Sequence, residues 1–189
     1  MNFPTYTTDT LFMDAYQASS VFQMFIHTIC FHRMIYKLVK PKELAHPIYD
    51  SIYYVMIDDP MFHKTVTEKL EYIIDTVKER PSGTISVIFY HIKPSTGWFS
   101  KDDKVEMERW NIPFQWYEPY DKSHTHAMKE THIQSIYLSL LEKLSSVPAP
   151  IYQVINSYLP FDIIDSNKSN SFKDILQFIT SGPPKLNLF

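Results

Sequence analysis

Leu11, Ala15, Ala18, Phe22, Phe25 and Ile29 recur at alternating spacings of four and three, which predicts an amphipathic helix from Asp9 to about Met34. Thr8 or Asp9 can cap it. Phe12, Val21, Ile26 and Cys30 widen the apolar stripe, so this helix should be covered on more than one side and sit at the centre of the fold. Tyr36–Val39 and Ile48–Ile57 are rich in Ile, Val and Tyr and predict two strands, joined through Pro41–Pro47 as a hairpin. Asp59 followed by Pro60 reads as an N-cap and first helical position, with Phe62, Val66, Leu70, Ile73 and Val77 on one face of a second helix. Pro81-Ser82-Gly83 ends it.

Thr84–Lys93 is the clearest strand, with Ile85, Val87 and Phe89 on one face and Ile88, Tyr90 and Ile92 on the other. Apolar residues on both faces argue for a central position. A turn-rich stretch, Pro94–Asp103, separates it from a returning strand at Trp110–Tyr117. Ser123 can cap a third helix running to Val147, with Ile133, Tyr137, Leu140 and Leu144 at helical spacing, before Pro148 and Pro150 stop it. A short apolar piece at Ile151–Leu159, a polar stretch at Asp165–Ser171, a short helix at Phe172–Ile179 and Pro183-Pro184 complete the chain. This order predicts an α+β layer fold, three helices packed on a largely antiparallel sheet. We expect a single domain over 1–189, with its core at 9–160 and a short polar tail at 161–189.

Composition narrows the function. At 189 residues, folding buries roughly 70% of the surface an unfolded chain exposes, enough for a self-sufficient core. Three glycines, at Gly83, Gly97 and Gly182, are too scattered for a dinucleotide fingerprint or a phosphate-binding loop. Eighteen basic against 21 acidic residues leave a net charge of -3, so no global attraction to nucleic acid or anionic lipid is expected. One cysteine permits no internal disulfide, which suits a cytosolic or nuclear protein. The most apolar stretch, Val21–Phe31, is interrupted by Gln23 and His27, and no signal peptide or membrane span is expected.

No catalytic constellation emerges. Cys30, near His27 and His32, could suggest a thiol hydrolase, but it lies on the apolar flank of the first helix, where free cysteines are commonly inert. His124, His126 and His132 lack the three- or four-residue spacing of helical metal ligands, so no metal is expected. Asp58-Asp59 and Asp102-Asp103 suit capping and loop solvation rather than acid-base work. No cofactor is implied. Trp98-Phe99 differs, because two large apolar side chains stand in a loop of turn and charged residues. Such a loop can fold back over the sheet, the commoner outcome for residues of this kind. If both rings project, each contributes ~1.5–3 kcal/mol on burial in a partner, before entropy costs.

Phe25–Arg33, Phe89-Tyr90, Trp98 and Phe99, Ile112-Pro113-Phe114 and Ser157–Pro160 occur in collinear order. Together they make the chain similar to the HORMA-domain family, in particular the HORMA-domain subunit of the autophagy-initiation kinase complex. The resemblance spans about Leu11 to Pro160 and implies an open-state-like HORMA fold without catalytic activity. It implies a heterodimer with the HORMA domain of autophagy-related protein 13, which the subunit stabilises, and association with other subunits of the kinase complex. It further implies that Trp98 and Phe99 form a finger recruiting downstream factors to the preautophagosomal structure, from a cytoplasmic protein whose single cysteine is equally compatible with a nuclear pool. By fold-level analogy, Lys129 and His132 near the start of the third helix are candidates for the heterodimer surface. The region after Pro160 looks too short and polar to close as a seat-belt over a peptide. An alternative reading makes the Trp98-Phe99 loop, beside Lys101 and Lys104, a membrane-contact module.

Overall fold

The structure, a computed structural model, describes residues 3–33, 40–93, 103–118, 123–148 and 160–167. Its elements run β1 (Thr5–Thr7), β2 (Leu11–Met13), α1 (Ala18–Arg33), β3 (Pro41–Ala45), β4 (Tyr53–Ile57), α2 (Pro60–Val77), β5 (Ser82–Lys93), β6 (Asp103–Trp116), α3 (His126–Ser146) and β7 (Phe161–Asp165). The main sheet has the order β1-β6-β5-β7, with β2 also on β6, and β3-β4 form a separate antiparallel pair. β5 is antiparallel to β6 and β7, whereas β1 and β2 join β6 in parallel. The expected α+β class and mainly antiparallel sheet are present, and their layout is compatible with a HORMA-like fold.

α1 is the hub. Val21, Phe22, Phe25, Ile26, Ile29 and Cys30 are all fully buried, and each burial of a Phe or Ile contributes ~1.5–3 kcal/mol. Phe22 meets Phe114 of β6 edge-on, and Phe25 meets Tyr137 of α3. Thr28 Oγ1 binds the Met24 carbonyl at 2.8 Å and lies 3.0 Å from the Tyr137 hydroxyl, so this polar pair is satisfied in the interior.

α2 begins as its sequence predicts: the Asp59 carboxylate accepts the Met61 and Phe62 amides at 2.8 and 3.1 Å, and Pro60 occupies the first turn. α1 starts later than expected. Leu11 and Met13 point into the core from an extended segment that ladders onto Phe114–Trp116, and Asp14 is still extended at φ -80°, ψ 149°. The helical spacing of Leu11 and Ala15 is equally served by a strand followed by a single 3-10 turn at Ala15–Gln17. Neither Thr8 nor Asp9 is a cap.

The hairpin is also displaced. Pro41–Ala45, expected as its connection, forms β3, and the turn lies at 46–52. His46 holds that turn, its Nδ1 accepting the Ile48 and Tyr49 amides at 3.3 Å each. The Tyr36–Val39 strand falls outside the described residues. Thr125, rather than Ser123, caps α3 by accepting the Met128 amide. Phe161–Asp165, expected in the tail, is a strand of the sheet, antiparallel to β5. Ile151–Leu159, Phe172–Ile179 and Pro183-Pro184 lie outside the described residues.

Gly83 opens β5 where an added Cβ would come within 2.7 and 2.9 Å of two Phe114 ring atoms. The glycine is required there by close approach to a ring that is itself locked in the core.

Candidate functional site

β5 and β6 form a hairpin that outruns its neighbours. β7 ends its pairing with Phe161 opposite Phe89, and β1 begins its own with Thr5 opposite Arg109. Beyond these points, among the described residues, Tyr90–Lys93 and Asp103–Glu106 ladder only with each other. One further bond steadies this stem, from the Tyr90 amide to the Pro160 carbonyl at 2.9 Å. The register skips Met107, since Phe89 faces Glu108 and Tyr90 faces Glu106. Such a bulge bends the strand and raises its local twist, so the stem leaves the sheet in a new direction. β6 therefore begins earlier than the expected Trp110, because Val105 and Met107 alternate with charged residues that each find a partner.

Glu106 takes a two-pronged bond from Arg109 at 2.6 and 2.9 Å, Lys69 pairs with Asp162, and Lys104 lies over the Tyr90 ring at 5.5 Å. Burial lowers the Lys104 pKa and raises that of Tyr90. The nine residues between Lys93 and Asp103 contain Trp98 and Phe99, which lie outside the described residues.

α3 has two dissimilar faces. Lys129 pairs with Asp14 at 2.6 Å, His132 Nε2 accepts the Phe12 amide at 3.0 Å, Ser139 donates to Asp9 at 3.2 Å, and Lys143 donates to the Thr7 carbonyl at 2.6 Å. These four side chains follow one side of the helix and clamp the amino-terminal segment. Lys129 and His132, expected as exposed interface positions, are thus half-buried and engaged within the chain. Burial lowers the His132 pKa, and the Asp14 carboxylate raises that of Lys129. The solvent-facing side, away from the buried Ile133, Leu140 and Leu144, presents Met128, Thr131, Ser135, Leu138, Glu142 and Ser145, with Leu138 53% exposed. An open groove there is lined by Leu138, Leu141, Glu142, Ser145 and Ser146. This face holds one charge among those six positions. The outward face of α2, by contrast, carries Lys64, Glu68, Glu71 and Asp75.

The reactive residues do not converge. Cys30 is fully buried, which pushes its thiol pKa up and removes the thiolate a nucleophile needs. His27 Nδ1 accepts the Ile57 amide at 3.2 Å, and burial, aided by His63, pushes its pKa down to about 4. His32 packs against Phe31. His124 lies against Tyr117, His126 against Tyr49 and His132 against Phe12, so the three face different neighbours. Among the described residues no group of three or more His, Cys, Asp or Glu is placed to hold a metal, and no helix is long and apolar enough to cross a membrane.

Two polar pairs escaped the sequence reading. Arg33 Nε donates to Glu108 at 2.7 Å with both side chains buried, and the Trp110 Nε1 donates to the same carboxylate oxygen. His63 Nδ1 stands 3.4 Å from His27 Nε2. A charge at the end of an apolar helix and a lone histidine in a first turn look like solvated positions until their partners are known.

These features define a small α+β domain whose distinctive parts are surfaces, a projecting stem and a lightly charged helix face. The chain matches the autophagy-related protein 101 family over residues 10–159 and belongs to it. A relative named Autophagy-related protein 101, from Arabidopsis thaliana, is 25% identical over 208 residues, covering 92% of this chain and 94% of that one.

Proposed function

We propose that this autophagy-related protein is a non-catalytic adaptor of the autophagy-initiation kinase complex with an open-state HORMA fold. It pairs with and stabilises the HORMA domain of autophagy-related protein 13, and it recruits downstream factors through Trp98 and Phe99. The carrying observation is the bulged stem, only two strands wide, on which those aromatics are mounted. A stem that continues past every neighbouring strand suits a loop that must reach another molecule. The lightly charged α3 face supports the heterodimer, because burying Leu138 and Leu141 there desolvates few charges. Lys129 and His132 then act by holding the amino-terminal segment under the helix, with the partner centred nearer Leu138. The protein works in the cytoplasm and moves to the preautophagosomal structure with its complex.

Replacing both Trp98 and Phe99 with Ala should abolish recruitment while leaving the fold and the heterodimer intact. Unfolding of that variant would instead assign the aromatics to the core. Leu138→Asp should weaken the heterodimer at least tenfold, roughly one buried side chain's worth, without lowering the melting temperature. Flotation with anionic liposomes in the absence of protein partners, lost on removing Trp98 and Phe99, would replace recruitment with membrane contact.

A further inference from the structure

Glu106 and Arg109 are three positions apart on β6, and in an unbroken strand an odd separation turns two side chains to opposite faces of the sheet. Here they meet. Tyr90 faces Glu106 and Ile88 faces Arg109, so two steps along β5 answer three along β6, and Met107 is the residue in excess. Its insertion returns Glu106 and Arg109 to one face, where the guanidinium donates twice to the carboxylate, Nε to Oε1 at 2.6 Å and Nη2 to Oε2 at 2.9 Å. The fork closes only because the bulge is there.

Its two ends belong to different parts of the molecule. Arg109 is tied to the body of the domain: its amide donates to the Pro4 carbonyl at 3.0 Å, β1 starts opposite it, and its guanidinium lies 5.6 Å from the Phe3 ring. Glu108, beside it, is anchored in the core by Arg33 and Trp110, so β6 is fixed up to the bulge. Glu106 stands on the other side of Met107, in the stem, opposite Tyr90.

We propose that the Glu106–Arg109 fork is a splint across the bulge: it fixes the direction in which the stem leaves the sheet, and both are positioning residues for the loop that carries Trp98 and Phe99. The positioning role rests on the recruitment reading of those aromatics given above. A bulge interrupts the ladder, and a ribbon of two strands has no flanking strand to hold its twist, so an unsupported joint of this kind bends. Two parallel bonds between planar groups restrain an angle as well as a distance, which a single-point contact does not. Lys104 over the Tyr90 ring lies wholly within the stem and sets nothing about its angle to the body.

Paired spin labels on the full chain, at Lys93→Cys in the stem and Glu71→Cys on α2, measure that angle as a distance. Both positions are exposed, and Cys30 is fully buried, so the label goes to the two new thiols. Arg109→Gln and Glu106→Gln should each broaden the distance distribution about twofold, and exchanging the pair, Glu106→Arg with Arg109→Glu, should narrow it again. An unchanged width in either single variant that folds would overturn the splint. So would an exchanged pair that stays broad, because the contacts of Arg109 with Phe3 and Pro4 would then account for the effect. In cells where the variant replaces the native chain, Arg109→Gln should lower the count of autophagosomal puncta about twofold, short of the loss caused by Trp98→Ala with Phe99→Ala. A broadened stem with undiminished puncta would overturn the positioning role. Undiminished puncta in the Trp98 and Phe99 double variant would overturn the recruitment reading instead, and the distances would still judge the splint.

Discussion

Arg33 and Glu108 offer the most demanding test of the energetics. Arg33 closes α1 with 2% of its surface exposed, and its guanidinium lies 5.0 Å from the Trp110 ring and 5.9 Å from that of Tyr6. Its Nε donates to Glu108, which also accepts from Trp110, whereas its Nη2 is buried without a hydrogen-bond partner. Both ions have therefore been taken out of water, and the guanidinium is only partly repaid by hydrogen bonds. Under such conditions removing one partner costs about 3–5 kcal/mol, because the other is left charged and buried, while replacing both with apolar side chains is close to neutral. Arg33→Met and Glu108→Leu should each destabilise by that amount, lowering the melting temperature by roughly 10 °C for a chain of this size. The double substitution should recover most of the loss, giving a coupling of about 2 kcal/mol or more. Glu108→Gln retains an acceptor for Trp110 and should fall between wild type and Glu108→Leu. Urea unfolding followed by tryptophan fluorescence measures all four, provided the denaturant slope stays constant. Single-variant losses below about 1 kcal/mol, or strict additivity in the double variant, would refute the reasoning.

Gly83→Ala should destabilise by about 1–3 kcal/mol, since the methyl overlaps the Phe114 ring and that ring cannot retreat, and a thermal melt within 1 °C of wild type would contradict this. His27 has its folded-state pKa lowered from 6.5 to about 4, so its contribution is complete above pH 6.5 and is lost as pH falls toward 4. The loss should reach about 3 kcal/mol, and His27→Gln should flatten that part of the stability profile, with His46 still providing a slope of the same sign. An unchanged profile in His27→Gln would place the acid sensitivity elsewhere.

The legible parts of this fold are those where one local signal dominates. Asp59-Pro60 and a clean apolar stripe define α2, and a strand apolar on both faces identifies β5 as central. α1 starts later than its pattern predicts because Leu11, Ala15 and Ala18 fit a helix, while the decisive fact, the pairing of Leu11–Met13 with β6, is a long-range one. β6 is longer than its local pattern predicts because Glu106 and Glu108 look like loop residues until Arg109 and Arg33 are seen beside them. Phe161–Asp165 carries two aspartates in five residues, yet they are matched by Lys69 of α2 and Arg80 just beyond its end, which no local pattern announces. The α3 clamp was hidden for the same reason: Lys129 and His132 have the spacing of an exposed helical edge, and only the returning amino-terminal segment covers them.

That clamp makes the segment from Thr7 to Asp14 a counterion as much as a scaffold. Asp9 and Asp14 offset a helix edge bearing two lysines, and the carbonyl of Thr7 occupies the second of them. Losing the segment up to Asp14 would therefore strip β1 and β2 from the sheet and at the same time unmask Lys129 and Lys143 along α3, turning a discriminating surface into one that attracts polyanions.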